Sequence, residues 1–320
     1  MKVVWDNQDS LPTVRVGNTG SGEVNEERVL GSASGMENQM FLFTAEQSVS
    51  GTVEVILPAN TRKLEHNGIK AEIIGQLEFA HNHGNNHTFL SSQQDLGNPG
   101  ILTKDTSYHF DFKENEKQYE SYDGTNVRIR YFVRVRILRS HGPVSKEFDF
   151  YVQKVQPQPE VNNPLKMEVG VEDCLHVEFE YDKSKYHLKD VISGKIYFVL
   201  VRIKIKHMEL QILKRETTGS GPNTYNETEV ITKYEIMDGS PIKGENIPIR
   251  VFLEPYELTP TLKTVHNKFS VKYLLNLVLV DEDDRRYFRQ QEILLWRKEL
   301  KHSQNRDMLQ FAHNSKTNVA

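Results

Sequence analysis

The chain has 320 residues, 26% of them charged, with a formal net charge of −4 and one cysteine, Cys174. That charge argues against a dedicated nucleic-acid binder, which needs a basic excess. A single cysteine rules out an intrachain disulfide and fits a reducing compartment. No stretch reads as a signal peptide or is long and apolar enough for a membrane-crossing helix, so a cytosolic protein with at most peripheral membrane contact is expected. The length suggests two domains.

Along the chain, "NTGSGEVNEERVLGSASG" (18–35) is rich in Gly, Ser and acids and reads as a mobile loop. "TVEVIL" (52–57) and "KAEIIGQLEF" (70–79) alternate as strands, and "HNHGNNH" (81–87) reads as a loop. In 127–137, Val127, Ile129, Tyr131, Val133, Val135 and Ile137 share one face; Arg128, Arg130, Arg134 and Arg136 share the other. Period two with one apolar face is a half-buried strand. "KEFDFYVQKV" (146–155) follows across "SHGP". "QPQPEVNNP" (156–164) holds three prolines; proline supplies no ladder donor and fixes φ, so this is an extended linker. Further alternating runs are "HVEFEY" (176–181), "KIYFVLVRIKI" (195–205), "MELQIL" (208–213), "IPIRVFL" (247–253), "FSVKYLLNLVLV" (269–280) and "RYFRQQEILLW" (286–296), punctuated by turns such as "YDGTN" and "MDGS". The polar tail after Arg297 reads as disordered, with "DMLQFAHN" its one candidate helix.

The strand signatures repeat. "SVSGTVEV" (48–55) returns as "VISGKIYF" (191–198), and "NVRIRYFVRVRIL" (126–138) returns as "KFSVKYLLNLVLV" (268–280). Gly51 and Gly194, and Tyr131 and Tyr273, recur at a common spacing of roughly 140 residues. A tandem pair of all-β, antiparallel sandwich domains is expected: 1–156, a linker at 157–164, a second domain at 165–298 and a tail at 299–320.

Candidates for chemistry are few. His81, His83 and His87 have no recognised zinc spacing, and a solvated loop is the favoured reading. Cys174 and His176 would share a strand face, but nothing in sequence supplies an orienting group, and a buried free cysteine is the commoner case. The arginine face of 128–136 admits a phosphate or acidic-lipid site, but the favoured reading is cross-strand pairing with Glu147 and Asp149, with the two strands forming a hairpin across "SHGP". "DEDDRR" (281–286) reads as a solvated turn. No Walker loop, dinucleotide fingerprint, zincin helix or nucleophile elbow is present. The reading is a non-enzymatic binding or scaffold protein with no cofactor and no metal.

The duplicated sandwich with a proline-rich joint resembles the arrestins. "NNPLKMEVGVEDCLHVEFEYDKSKYHLKDVISGKIYF", "KYEIMDGSPIKGENIPIR" and "LVLVDEDDRRYFRQQEILLWR" resemble more closely the arrestin-like retromer subunit, the vacuolar-protein-sorting twenty-six family. "RKLEHNGIK" (62–70) and "SYDGTNVRIRYF" (121–132) add to the likeness, which is strong over 40–298 and weak over 1–39. The family's "DGESVSG", an acidic turn that helps dock a sorting-nexin PDZ domain in animals, reads "AEQSVSG" here (45–51).

The resemblance implies a subunit of the retromer coat on the cytosolic face of endosomes, held to the membrane through its partners. It implies a helical-solenoid subunit, sorting nexins and cargo tails as those partners, and retrograde or recycling transport as the role. Ile236 and Met237, before the "DGS" turn, match a loop that contacts the solenoid; the alternative is that both fold back into the sandwich. Val169 and Phe288 match residues lining a cargo and sorting-nexin groove, expected between the two domains; the alternative for Phe288 is an ordinary core aromatic. A different arrestin-type role, recruiting a ubiquitin ligase, typically uses a Pro-Pro-x-Tyr motif, and "EPYEL" (254–258) lacks the second proline.

Overall fold

A computed structural model describes residues 1–6, 13–15, 39–59, 62–80, 86–113, 116–171, 173–219 and 221–298. His81, His83, the 18–35 segment and the tail from 299 lie outside them. The chain forms two compact units. One comprises Met1–Lys154 with Glu216–Glu227 and Leu262–Val271; the other comprises Val155–Arg215, Thr228–Thr261 and the chain from Lys272.

The strands of the first half are β1 (Lys2–Trp5), β2 (Thr13–Arg15), β3 (Gln39–Thr44), β4 (Val49–Val55), β5 (Leu64–His66), β6 (Gly68–Phe79), β7 (His87–Gly97), β8 (Gly100–Leu102), β9 (Thr106–Phe112), β10 (Tyr122–Asp123), β11 (Val127–Leu138) and β12 (Val144–Gln153). They form a sheet in the order β1-β4-β9 and a larger one in the order β2-β3-β12-β11-β6-β7, with β10 also on β11 and a small β5-β8 pair. The second half supplies β13 (Leu165–Val171), β14 (Leu175–Tyr181), β15 (Lys185–His187), β16 (Val191–Val201), β17 (Ile205–Thr218), β18 (Tyr225–Asp238), β19 (Asn246–Phe252), β20 (Leu262–Val265), β21 (Phe269–Asp281) and β22 (Arg286–Trp296). Their sheets run β13-β14-β16-β19 and β15-β22-β21-β17-β18, with β20 on β21. Each half is a two-sheet β-sandwich, as expected.

The duplication extends to strand order. β3-β12-β11-β6 in one half matches β15-β22-β21-β17 in the other. Both copies contain a parallel pair at the matching place: Tyr151 lies opposite Leu42, and Leu295 opposite Tyr186. The parallel pairs are an addition to the antiparallel expectation, because hairpin patterning reports only sequential neighbours. Tyr131 on β11 and Tyr273 on β21 occupy equivalent strands, and both rings are buried. A buried phenol needs a partner. The Tyr131 hydroxyl donates to the Tyr119 carbonyl at 2.8 Å; that of Tyr273 accepts from the Thr259 amide at 3.1 Å. In both cases the ring ties its central strand to the segment that precedes it.

The repeated "SG" has a steric cause. Gly51 faces Trp5 across β4-β1, and Gly194 faces Tyr181 across β16-β14. A Cβ at Gly51 would lie 2.8 Å from the Val4 carbonyl oxygen and 2.9 Å from the Phe110 ring; at Gly194 it would lie 2.5 Å from the Glu180 carbonyl oxygen. Both sites require close backbone approach. Around the first, Trp5 packs edge-on against Phe43, Phe110 and Phe150.

The arginine face resolves in favour of ion pairs. β11 and β12 pair as the expected hairpin, with Arg134 opposite Glu147 and Phe132 opposite Asp149. Arg130 donates to both oxygens of Asp149, at 3.1 and 2.6 Å, and pairs with Glu147 at 3.0 Å. Arg134 reaches Glu147 at 2.9 Å, and Arg136 reaches Glu72 at 2.8 Å. Arg130 and Arg134 also stack over the Phe132 ring, which is buried on this outward face.

Several strands were illegible. The long strands β7, β9, β13 and β18 are not among the alternating runs named from the sequence, nor are the shorter β2, β3, β5, β8, β10, β15 and β20, and the run 195–205 divides into β16 and the start of β17. β18 is a 14-residue strand with no buried residue, so it carries no apolar stripe for a periodicity reading to find.

The "AEQ" turn is built around a buried lysine. Lys117 Nζ donates to the carbonyls of Ala45 at 3.2 Å and Gln47 at 2.5 Å. Burial pushes the Lys117 ammonium down to about 8, against the opposing pull of Glu46.

Two outcomes are expected. Gly51→Val and Gly194→Val should each cost about 1–3 kcal/mol in chemical denaturation, whereas Gly100→Ala, whose Cβ meets nothing closer than 3.8 Å, should stay within about 0.5 kcal/mol of the parent. Lys117 binds its proton less tightly folded than unfolded, so the unfolded chain holds more protons between about pH 8 and the ordinary value of 10.5. Stability contributed at this site should therefore rise with pH through that window and be flat below it. The stability difference between parent and Lys117→Met, measured by denaturation from pH 7 to 10, should show that slope.

Candidate partner-binding site

β13 is the outer strand of its sheet, paired among the described residues only with β14. Its alternation turns Val169 inward, at 9% exposure, and leaves Glu168 and Gly170 exposed. Gly170 is needed here, because a Cβ would lie 2.2 Å from the Leu175 carbonyl oxygen on β14. β22 is covered on one edge by β21 along Arg286–Ile293; among the described residues its other edge meets β15 only at Leu294–Trp296. Two strands therefore present unpaired main-chain edges, and β13 and β22 lie next to one another. An unpaired edge is a template for an added strand.

A groove of about 670 Å³ opens where they meet, and Val169 and Phe288 both line it. Phe288 is 60% exposed, so it is not a core aromatic. Val171 and Val199, also exposed, extend the apolar lining. All residues lining this groove belong to the second unit, although the sequence reading expected contributions from both halves. A second compartment of about 840 Å³ shares Glu168, Val199 and Arg289 with the first.

Phe288 is held in place by the "DEDDRR" turn. Asp281 is buried, unlike the solvated residues that follow it. Its carboxylate accepts from the amides of Asp283 and Arg285 at 3.0 and 2.9 Å, from Arg285 Nε at 2.8 Å and from the Tyr287 hydroxyl at 2.9 Å. These donors hold its carboxyl below the usual carboxylate range despite the opposing effect of desolvation. Asp284 adopts φ 60°, and Lys206 reaches its carboxylate at 2.8 Å. The turn is an ordered brace for the start of β22.

Ile236 and Met237 are the two residues before the last of β18, the outer strand of its sheet, and so lie on the strand that leads into the turn. Both are half-buried, midway between the exposed pair and the core pair considered from sequence. The next loop presents Ile242, which that reading missed, at 72% exposure. The loop is firmly fastened: Gly239 N donates to Lys206 O at 2.8 Å, Gly244 N to Phe198 O at 2.7 Å, and Ile242 N to the Glu245 carboxylate at 3.0 Å. The signal was present in "SPIKGE", an isoleucine between turn residues.

The other candidates among the described residues are Cys174, His176 and His87. Cys174 precedes β14 in a turn, and His176 Nε2 lies 3.4 Å from Glu178 and 3.7 Å from Glu168. His87 sits on β7 with its ring 4.8 Å from that of His266. Among the described residues, no three His, Cys, Asp or Glu side chains are grouped to hold a metal ion. No helix among them is long and apolar enough to cross a membrane.

Comparison with known proteins agrees with the sandwich pair and the motifs. The model of the family described as vacuolar protein sorting-associated protein 26 matches residues 18–284. The human vacuolar protein sorting-associated protein 26B is 58% identical over 264 residues, covering 82% of this chain and 79% of its own. The Danio rerio 26B protein is 57% identical over 264 residues, covering 82% of this chain and 80% of its own. The Dictyostelium discoideum vacuolar protein sorting-associated protein 26 is 57% identical over 265 residues, covering 82% and 76%. Matched over most of its length by both the family model and these relatives, the chain belongs to the vacuolar protein sorting-associated protein 26 family and has a role in protein sorting.

Proposed function

We propose that this chain is a non-catalytic subunit of the retromer coat, working on the cytosolic face of endosomes and attached to the membrane through its partners. The observation that carries this reading is the family membership, at 57–58% identity to proteins named for vacuolar protein sorting. One surface, formed by Ile236, Met237 and Ile242, docks the helical-solenoid subunit. The other, the groove with Val169 and Phe288, holds an extended cargo tail together with a sorting nexin.

The groove's geometry supports capture by strand addition. An edge strand offers main-chain donors and acceptors at the strand repeat, whatever the side chains of the incoming peptide. Selection then falls to the side chain that enters the apolar part of the groove. This division lets one site accept many tails. Each contact is small, so an isolated tail should bind with a dissociation constant on the order of tens of micromolar or weaker. A nexin that supplies another wall raises that affinity by a coupling free energy, reciprocally shared between tail and nexin.

Two substitutions test the reading. Ile236→Ser with Met237→Ser should abolish solenoid binding in a pull-down and leave the melting temperature within a few degrees of the parent; Ile242→Ser alone should weaken it. An unfolded double variant would instead make the pair core. Phe288→Asp, at an exposed position, should remove nexin-dependent tail binding, measured by fluorescence anisotropy, with solenoid binding unchanged. Undiminished tail binding in that variant would remove Phe288 from the capture site.

A further inference from the structure

Arg289 is the next residue after Phe288 on β22, and it lines both compartments of the groove. Successive strand residues point to opposite faces, so Phe288 and Arg289 flank the uncovered edge of β22 on its two sides. The Arg289 side chain is exposed and has no ion pair or hydrogen bond among the described residues. The other charged wall is different. Glu168 and Glu178 lie opposite each other across β13-β14, and His176 stands between them at 3.7 and 3.4 Å, so these acids have a partner within the protein. Asp173 in this compartment and Lys243 in the second also lack a side-chain ion pair among the described residues, but Arg289 is the cation next to Phe288 on the uncovered edge of β22.

We infer that the groove selects extended tails in which the apolar anchor is flanked by an acidic residue, and that Arg289 is the residue that reads it. The inference rests on the tail-capture reading of this groove. A peptide paired to the free edge at Arg286–Ile293 places the residue opposite Phe288 on the Phe288 face. Its immediate neighbour, opposite Arg289, falls on the Arg289 face. The anchor fills the apolar space beside Val169 and Val199, and the neighbouring carboxylate meets the guanidinium, a planar donor suited to bidentate pairing. The fixed backbone repeat converts a spacing of one residue on β22 into a spacing of one residue in the ligand. Strand direction is immaterial if both neighbours of the anchor are acidic.

The test uses the full chain and two fluorescent synthetic peptides of about ten residues, rich in Thr and Ser. Each carries one central Leu, flanked on both sides by Glu in one peptide and by Lys in the other. The Glu peptide should bind about five-fold more tightly at low salt, with the difference shrinking at high salt. Arg289→Glu should reverse the preference, and its unchanged melting temperature would show that the fold is intact. Equal binding of the two peptides, both lost in Phe288→Asp, would overturn the role of Arg289 and leave the groove as a tail site. Preference for the Lys peptide would overturn it too and assign selection to Glu168 and Glu178. Binding of neither peptide at millimolar concentration, with or without a sorting nexin, would overturn the inference and the capture reading together.

Discussion

The long central strands β11 and β21 set the terms for everything around them. A strand in a sandwich buries every second side chain, so its inward set must be apolar and its outward set must be made compatible with water or with its neighbours. On β11 the inward set runs unbroken from Val127 to Ile137. The outward set is arginine, and the fold answers it with Glu72, Glu78, Glu147 and Asp149 on the two adjacent strands. Slipping the register by one residue would put four guanidinium groups into the core. The charges thus help fix alignment, although exposed pairs individually contribute little to stability. β21 meets the same demand differently: residues of both faces are buried over most of its length, with Asn276 inside and bonded to Gln211.

Around these strands the two halves reuse one solution. A tyrosine in the middle of the central strand ties it to the incoming segment, and a glycine in the facing sheet lets a neighbouring backbone carbonyl close in. The parallel pairs β3-β12 and β15-β22 repeat as well. The partial cover repeats too: β12 meets β3 over three residues, as β22 meets the three-residue β15, and β1 and β13 are both outer strands of their sheets. The open edges, the ordered Asp281 turn and the exposed Phe288 occur together on the second unit. An ordinary sheet margin is usually protected with charge, proline or a bulge.

Much of this was legible in the residues. Alternation over 127–137 and 146–155 specified the hairpin and its ion pairs, since period two admits only one assignment of faces once valine and arginine alternate so strictly. The recurrence of Gly51 as Gly194 and Tyr131 as Tyr273 specified the duplication, because each residue type answers a local steric or hydrogen-bonding need that any copy of the fold must meet. The likeness of "KYEIMDGSPIKGENIPIR" and its companion segments to one family specified the family, and comparison over most of the chain agrees.

Tertiary structure alone decided the rest. β18 has no buried residue and β7 is largely polar, so neither leaves a periodic trace; they are strands because a paired neighbour supplies their hydrogen bonds. Exposure of Phe288, the half-burial of Ile236 and Met237, and the prominence of Ile242 depend on which elements come to lie over them. An edge is the absence of a neighbour on one side, and the groove lies where β13 and the first part of β22 both lack a second neighbour among the described residues. Residue order encodes what each strand prefers to bury. Which strands remain uncovered follows only from how all of them pack.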